Sequence, residues 1–429
     1  MNLFARRFLI ALLSTFLFSS SAWAGGLWIY EMGTPEMGVA EAGRAAMATD
    51  ASTAFGNPAG MTRLEGSQFC NGLLGSVYTL TFDKGSGTKV EGNGSGDAGG
   101  LMAGGGLFYS TSLSPRWRLG VTLGSYAGGA VNYDDHWYGR YYAQSSSLLT
   151  FALNPALAYR VTDWLSLGAG FTVLYGELKQ TAAINNNPLG RHDFEDGQLK
   201  IKDRQFGLGG NAGILVEPLE GTRLGLTYRS EIELKFEDVP ELNDLAPWLS
   251  ELLGRSGNTN NKMKLHVTIP QEVLFSAYQE FFAKRLAIMG SVGWQDWSEF
   301  GNLDVAVSSE RLGESFALKA KFQDTWHYAI GAQVRIAQPW LLSVGFAYDT
   351  SAFDKAEYRA LNMPLDRQIR YSAGLQYDWS KALTLGIAYT YLDAGEAKID
   401  REFPILGKVE GDFSSNYANL VALNLTWKF

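Results

Sequence analysis

At 429 residues the chain is long enough for two or three soluble domains. Its 49 Gly, 24 Phe, 20 Tyr and 12 Trp, and the absence of any later run of apolar residues long enough to span a bilayer as a helix, favour an exported protein built of strands. A net charge of −8 without a basic tract argues against nucleic acid as a partner, and a single cysteine, Cys70, excludes an internal disulfide framework.

The first 24 residues read as a cleaved signal peptide. Arg6 and Arg7 form a positive start, Phe8 to Phe18 an apolar stretch, and Ala22-Trp23-Ala24 a small-residue cleavage site that would leave Gly25 first. Residues 25–66 do not alternate, and they are too many for a simple leader. They predict a plug at the periplasmic mouth of a barrel.

From residue 67 onward the chain alternates. Leu165, Leu167, Ala169, Phe171, Val173 and Tyr175 share one face, as do Leu383, Leu385, Ile387, Tyr389 and Tyr391. Their neighbours are mostly small or polar. Side chains alternate across a strand, so this pattern sets one face in lipid and the other in a polar lumen. Backbone groups in lipid must all be paired, and only a closed sheet achieves that with strands. The connections alternate too. Short turns near 114–115, 162–163, 218–221, 283–284, 338–339 and 380–381 separate long polar loops near 83–98, 132–144, 180–203, 238–264, 300–316, 350–366 and 393–412. Thirteen connections predict fourteen antiparallel strands, an all-β transmembrane barrel over residues 67–429. The last strand carries Val421, Leu423, Leu425, Trp427 and Phe429 on one face and ends on an aromatic, the pattern expected of a chain handed to the barrel-assembly machinery of the bacterial outer membrane.

Two segments interrupt the pattern. The third strand begins with Leu119, Val121 and Leu123, then meets Ser125 to Ala130, where Gly128 and Gly129 mark a kink or a close approach to the plug. In the fourth long loop Leu242, Leu245, Ala246, Leu249, Leu252 and Leu253 recur at helical spacing beside Trp248, and a helix there must cover its apolar face with another loop or offer it to an apolar ligand.

The predicted plug contains GRAAMATDASTAFGNPAGMTRL, Gly43 to Leu64. With its Asn57-Pro58-Ala59 placed just before the first strand, it resembles the FadL family of outer-membrane transporters for long-chain fatty acids and other hydrophobic compounds. NPALAYRVTDWLSLGAG (154–170) and RYSAGLQYDWSKALTLGIAY (370–389) are weaker echoes. The resemblance implies a fourteen-stranded barrel plugged by an N-terminal hatch, capture of ligand in an outer-loop groove by residues such as Leu245, Trp248, Leu249 and Leu252, and lateral release through a kinked third strand. It implies a monomer with a hydrophobic small-molecule ligand, surrounded by outer-membrane lipid and lipopolysaccharide. Monoaromatic hydrocarbons are the alternative ligand class, and a general porin the alternative function.

On the inward face, Arg118, Arg160, Arg223, Arg285 and Arg335 each lie near a short turn and would form a ring facing Glu31, Glu36, Glu41 and Asp50 of the hatch. Arg229 and Arg370 lie higher and are candidates to meet a ligand carboxylate, with cross-barrel ion pairing as the alternative. The four histidines, His136, His192, His266 and His327, stand in no catalytic motif, and no metal or cofactor spacing occurs; an enzyme is not expected.

Overall fold

The computed structural model describes residues 30–125, 127–187, 193–256, 263–301, 306–307, 321–403 and 407–429. The signal-peptide reading of residues 1–24 lies outside them.

Fourteen strands form the wall among the described residues. They are β1 (Ser67–Lys84), β2 (Gly100–Ser112), β3 (Trp117–Gly124, continued by Gly128–Asn132), β4 (Ser145–Arg160), β5 (Leu165–Ile184), β6 (Gly197–Leu219) and β7 (Thr222–Arg229). The second half comprises β8 (Glu272–Phe281), β9 (Leu286–Gln295), β10 (Thr325–Ala337), β11 (Trp340–Asp349), β12 (Gln368–Asp378), β13 (Leu383–Asp393) and β14 (Gly407–Lys428). Each pairs antiparallel with its sequence neighbours, and β14 returns to β1 from Gln68↔Lys428 to Lys84↔Gly411, with one irregularity near Asp83, which closes the sheet. Closure removes the edges that a membrane cannot tolerate. No helix among the described residues is long and apolar enough to cross a membrane.

The alternation read from the sequence sets the faces. Phe171, Leu208, Ile330, Val344, Ile387 and Leu423 point out and are exposed, whereas Thr172, Ser276, Ser343, Thr390 and Asn424 point in and are buried. Aromatic pairs lie at the two rims of this apolar band: Trp117 with Tyr159 and Trp340 with Tyr377 near the short turns, Tyr175 with Phe206 and Tyr391 with Tyr417 near the long loops.

Several strands run on past the membrane. Residues Ile232–Asp238 and Met263–Ile269 form a second small sheet with Ala306–Val307. Ile232 and Leu234 press on Gly176, Gly207 and Gly209 of the inner wall, so this sheet lines the lumen behind β5 and β6. The fourth long loop differs from the helical reading at its start. Glu241–Asn243 is a short strand paired with Gln198–Lys200, and the helix α1 runs Pro247–Ser256. Asp244, at φ 54, turns the chain between them, and Pro247 suits a first helical turn. Strand pairing therefore took Leu242 out of the helical series.

Candidate functional site: a lumen filled by the N-terminal segment

Residues 30–64 lie almost wholly buried inside the barrel. A 3-10 turn, Pro35–Val39, touches β10 to β13, and a second, Pro58–Arg63, touches β3 to β6 on the other side. The wall is cut to receive this segment. A Cβ on Gly225 would lie 1.9 Å from the Ala45 carbonyl oxygen, one on Gly345 2.0 Å from the Val39 backbone, and one on Gly168 2.4 Å from the Ala59 nitrogen. Gly72, Gly120, Gly213 and Gly331 are equally close to the segment. These glycines, spread around the ring, let two backbones approach where any side chain would hold them apart.

Wall side chains satisfy the segment's backbone. Ser291 Oγ accepts from Gly43 N at 2.9 Å and Ser276 Oγ from Ala45 N at 3.1 Å. Asn57, fully buried, donates from Nδ2 to the Ala45 carbonyl at 2.6 Å and to the Ile214 carbonyl of β6 at 3.0 Å. Its Oδ1 accepts from Ala59 N at 3.0 Å and caps the turn that Pro58 begins. Asn57-Pro58-Ala59 is thus both a turn and a tether between the two halves of the segment and the wall.

The arginine ring is corrected in both membership and chemistry. Arg118 donates to the Leu64 carbonyl at 3.0 Å, and Arg160 and Arg223 donate to the carbonyls of Thr62 and Met47. Their partners are backbone oxygens, not the acidic side chains: the segment turns its irregular, unpaired carbonyls toward the wall near the short turns. Arg223 also pairs with Glu280 at 2.8 Å, and Arg63 of the segment pairs with Glu217. Arg335 instead pairs with Asp378 of the wall, and Arg285 sits exposed in the tight turn after β8, so neither contacts the segment. Arg229, higher up, donates to the Phe55 carbonyl at 3.1 Å with its guanidinium 3.8 Å from the Phe55 ring centroid.

Arg370 is the centre of a charged cluster, the ion pairing given above as the alternative to a ligand carboxylate, with partners the sequence did not single out. Its Nε donates to Glu31 at 2.6 Å; other guanidinium nitrogens bond Asp349, and Gln368 at 2.8 Å. Asp349 also meets His327 Nδ1 at 2.8 Å. Tyr30 stacks on His327 with centroids 4.6 Å apart and accepts from Gln295 at 2.7 Å. Glu31, Asp349, Arg370 and His327 are all largely buried. One signal was available: His327 and Asp349 are directly opposite on β10 and β11, both on the inward face. A cavity of about 30 Å³, lined by Tyr30, Gln295, Trp297, Thr325, Leu365 and Arg370 among others, opens beside this cluster.

The acids of the segment are otherwise largely desolvated. Ser52 Oγ donates to Glu36 at 2.9 Å, and burial, reinforced by Asp50, pushes the Glu36 carboxyl up to about 7. Glu41 lies 3.6 Å from Arg44, and burial holds it well above the usual carboxylate range. Among the described residues no three His, Cys, Asp or Glu side chains converge to hold a metal ion.

A continuous cluster of buried apolar side chains reaches from the outer loops to this centre. Trp297, Phe300, Phe322, Phe353 and Met363 join Phe236, Leu234, Val267 and Ile269 of the inner sheet, which continue to Leu174, Leu178, Tyr30, Met32 and Phe55 in one buried cluster. Of the proposed capture residues, Leu245 and Leu249 are half-buried and Trp248 is exposed on α1, its Nε1 donating to the Asn186 carbonyl at 3.2 Å. The side chain of Leu252 lies outside the described residues.

Among the described residues the ladder between β2 and β3 has a gap. β3 pairs with β2 only up to Gly124↔Gly106. Beyond it, Gly128–Asn132 pairs with β4 alone, while Gly100–Gly105 pairs with β1 alone. Gly124 stands opposite Ala152 and Gly128 opposite Leu149, so the register with β4 shifts by one residue between them. Gly128, at φ 153, adopts a backbone that favours glycine. Above the gap, the wall closes again where Asn132 N donates to the Ala98 carbonyl at 3.0 Å.

Residues 15–429 match the family of outer membrane protein transport proteins described as OMPP1/FadL/TodX. A long-chain fatty acid transport protein of Escherichia coli is 27% identical over 416 residues, covering 89% of this chain and 90% of the relative. Outer membrane protein P1 of Haemophilus influenzae is 25% identical, covering 99% and 100%. Among solved structures, a Pseudomonas aeruginosa FadL homologue superposes with a TM-score of 0.83 at 21% identity, covering 94% of this chain and all of that one. The Ralstonia pickettii toluene transporter TbuX shares the fold at a TM-score of 0.62 and 17% identity, covering 94% of this chain and all of its own.

Proposed function

The chain belongs to the OMPP1/FadL/TodX family of outer membrane transport proteins, and on that premise we propose that its ligand is a long-chain fatty acid and its luminal segment a hatch. Transport of hydrophobic compounds through a bacterial outer-membrane barrel is the family's activity; the chain is a transporter and not an enzyme.

One observation carries the choice of ligand. The apolar cluster reaches Tyr30, whose ring centroid lies 5.3 Å from the Arg370 guanidinium carbon, and that buried guanidinium pairs with a carboxylate of the luminal segment, Glu31. That pairing fits a molecule with a long apolar tail and one acid group. A fatty-acid carboxylate arriving at Arg370 competes with Glu31 for the same donors, and a planar fork with several donors suits either. Exchange frees Glu31, and with it the segment that begins at Tyr30. A neutral aromatic compound offers no such exchange.

Ligand first meets the apolar faces of the outer loops, including Leu245 just before α1 and Trp248 and Leu249 on it. It leaves through the gap at Gly128 and Gly129. Lateral exit keeps the chain out of water, at roughly 0.8 kcal/mol for each CH2. No energy source is required, since a ligand that binds both states can move down its gradient.

Uptake of labelled oleate by cells lacking their own transporter tests the reading. Expression should raise uptake, and Arg370→Ala should lower it severalfold at equal barrel insertion. Unchanged oleate uptake with the inserted barrel, alongside increased toluene entry, would transfer the assignment to neutral aromatics.

A further inference from the structure

The outward face of the wall is not uniformly charged above its apolar band. On β5 and β6 the aromatic rung Tyr175↔Phe206 is followed, two residues at a time toward the long loops, by Glu177↔Arg204, Lys179↔Lys202 and Thr181↔Lys200. All lie on the lipid-facing side, because directly opposite residues share a face and Phe206 and Leu208 below them are exposed. Elsewhere the same level carries acids: Asp296 on the loop after β9, Asp324 before β10, Asp393 at the end of β13. Arg367 stands there too, paired with Asp393, but among the described strand pairs only here do two lysines face each other directly.

The arrangement is costly by itself. Lys179 and Lys202 are directly opposed, and like charges in that position destabilise a sheet. Glu177 relieves part of it, accepting from Lys179 Nζ and Arg204 Nε at 2.6 Å each. Glu241 stands opposite Lys200 on the short strand beside β6, beyond ion-pair distance, and the Asp238 carboxylate accepts from the Lys202 backbone N–H at 3.0 Å. Lys200 and Lys202 have no ion-pair partner among the described residues. Four cations therefore stand among three carboxylates, Glu177, Glu241 and Asp238, and two of the four make no ion pair among the described residues.

We infer that Lys179, Lys200, Lys202 and Arg204 form a binding site for a phosphorylated lipid of the outer leaflet. The site continues the apolar belt, so acyl chains would lie along Phe206 and Leu208 while a phosphate lies between the opposed lysines. Strand spacing puts the four cations within roughly 15 Å along the wall and about 5 Å across it, a headgroup-sized patch. An anion there turns the repulsive Lys179–Lys202 rung into a bridged one. The site is separate from the lumen and does not depend on the ligand transported.

Native mass spectrometry of the purified barrel in detergent tests this with three probes: bisphosphorylated lipid A, its dephosphorylated form, and inorganic phosphate. The bisphosphorylated lipid should bind tightest, and Lys200→Gln with Lys202→Gln should weaken it about twenty-five-fold, on the order of fivefold for each cation removed. Lys200→Arg with Lys202→Arg should restore binding. Both double variants should keep the heat-dependent gel mobility of a folded barrel, since neither side chain makes an ion pair. Equal binding of the dephosphorylated lipid, no loss in the glutamine variant, or displacement of the lipid by inorganic phosphate at equal concentration would each overturn the assignment.

Discussion

Glu31 and Arg370, 339 residues apart in sequence, meet at 2.6 Å inside the barrel and join the first described turn of the chain to β12. The bond is charge-assisted on both sides and largely shielded from water. Removing one partner leaves the other buried without its counter-charge, a loss of about 3–5 kcal/mol in comparable sites. Arg370→Gln should therefore loosen the start of the luminal segment without unfolding the wall. Limited proteolysis should cut near residues 30–40 faster, while heat-dependent gel mobility stays unchanged. Protection equal to the parent would show that Glu31 does not hold the segment.

Asn57→Ala removes two donor bonds and one cap at a single buried position. The Ala45 carbonyl loses a partner with no water to replace it. The expected cost to docking of the segment is about 2–4 kcal/mol. Hydrogen exchange at residues 45–62 should accelerate by roughly 30-fold to 900-fold, the equivalent of that cost at about 1.36 kcal/mol per decade, and exchange in β6 should change little.

The glycine seats give a sharper contrast. Gly225→Ala places a methyl 1.9 Å from the Ala45 carbonyl oxygen, so wall and segment cannot keep their present distance. Gly75→Ala on β1 meets nothing within 4 Å. The first should expose the segment to protease, and the second should match the parent. Equal behaviour of the two would mean that close backbone approach does not seat the segment.

Docking of the segment should weaken as pH rises. Burial and the neighbouring Asp50 raise the Glu36 carboxyl to about 7, against an ordinary value near 4.5 once it is displaced into water. Displacement therefore releases a proton between those values. Docking is strongest below about pH 4.5, declines through pH 7, and then levels off. Proteolysis of the segment across pH 5–8 should show this slope, and Glu36→Gln should reduce it, leaving the part that Glu41, also raised by burial, contributes with the same sign.

The wall was legible from the chain because lipid enforces it. Where one face of a strand must be apolar, a register error is visible as a misplaced charge, and the alternation at 165–175 and 383–391 gave both strands and faces. Loop lengths then fixed the strand number. Sequence reasoning failed where lipid no longer applies. Ile232, Leu234 and Phe236 continue the alternation past the membrane but bury their face on glycines of the inner wall, and nothing local separates that from another spanning strand. Leu242 fitted a helix period by spacing alone and was claimed by β6. The inward arginines were correctly placed on a face, yet alternation says nothing of what stands across the lumen. Arg335 found Asp378 of the wall, whereas Arg118 found a carbonyl. The acid partners of Arg370 lie 21 and 339 residues away, a relation that only the closed ring creates.

That ring is fastened by Ser67 and Phe429, each donating its N–H to the other's carbonyl, at 2.8–2.9 Å. The first strand and the last are thus the final pair to meet. The luminal segment of residues 30–64 precedes β1 in the chain, so it must be in place, or threaded in, when this seam joins. Contacts of such sequence separation form slowly, because the chain must find its own far end before they reward it. Damage to the β1–β14 seam should then appear first as a defect in biogenesis, with barrels lost before completion and those that do close behaving normally.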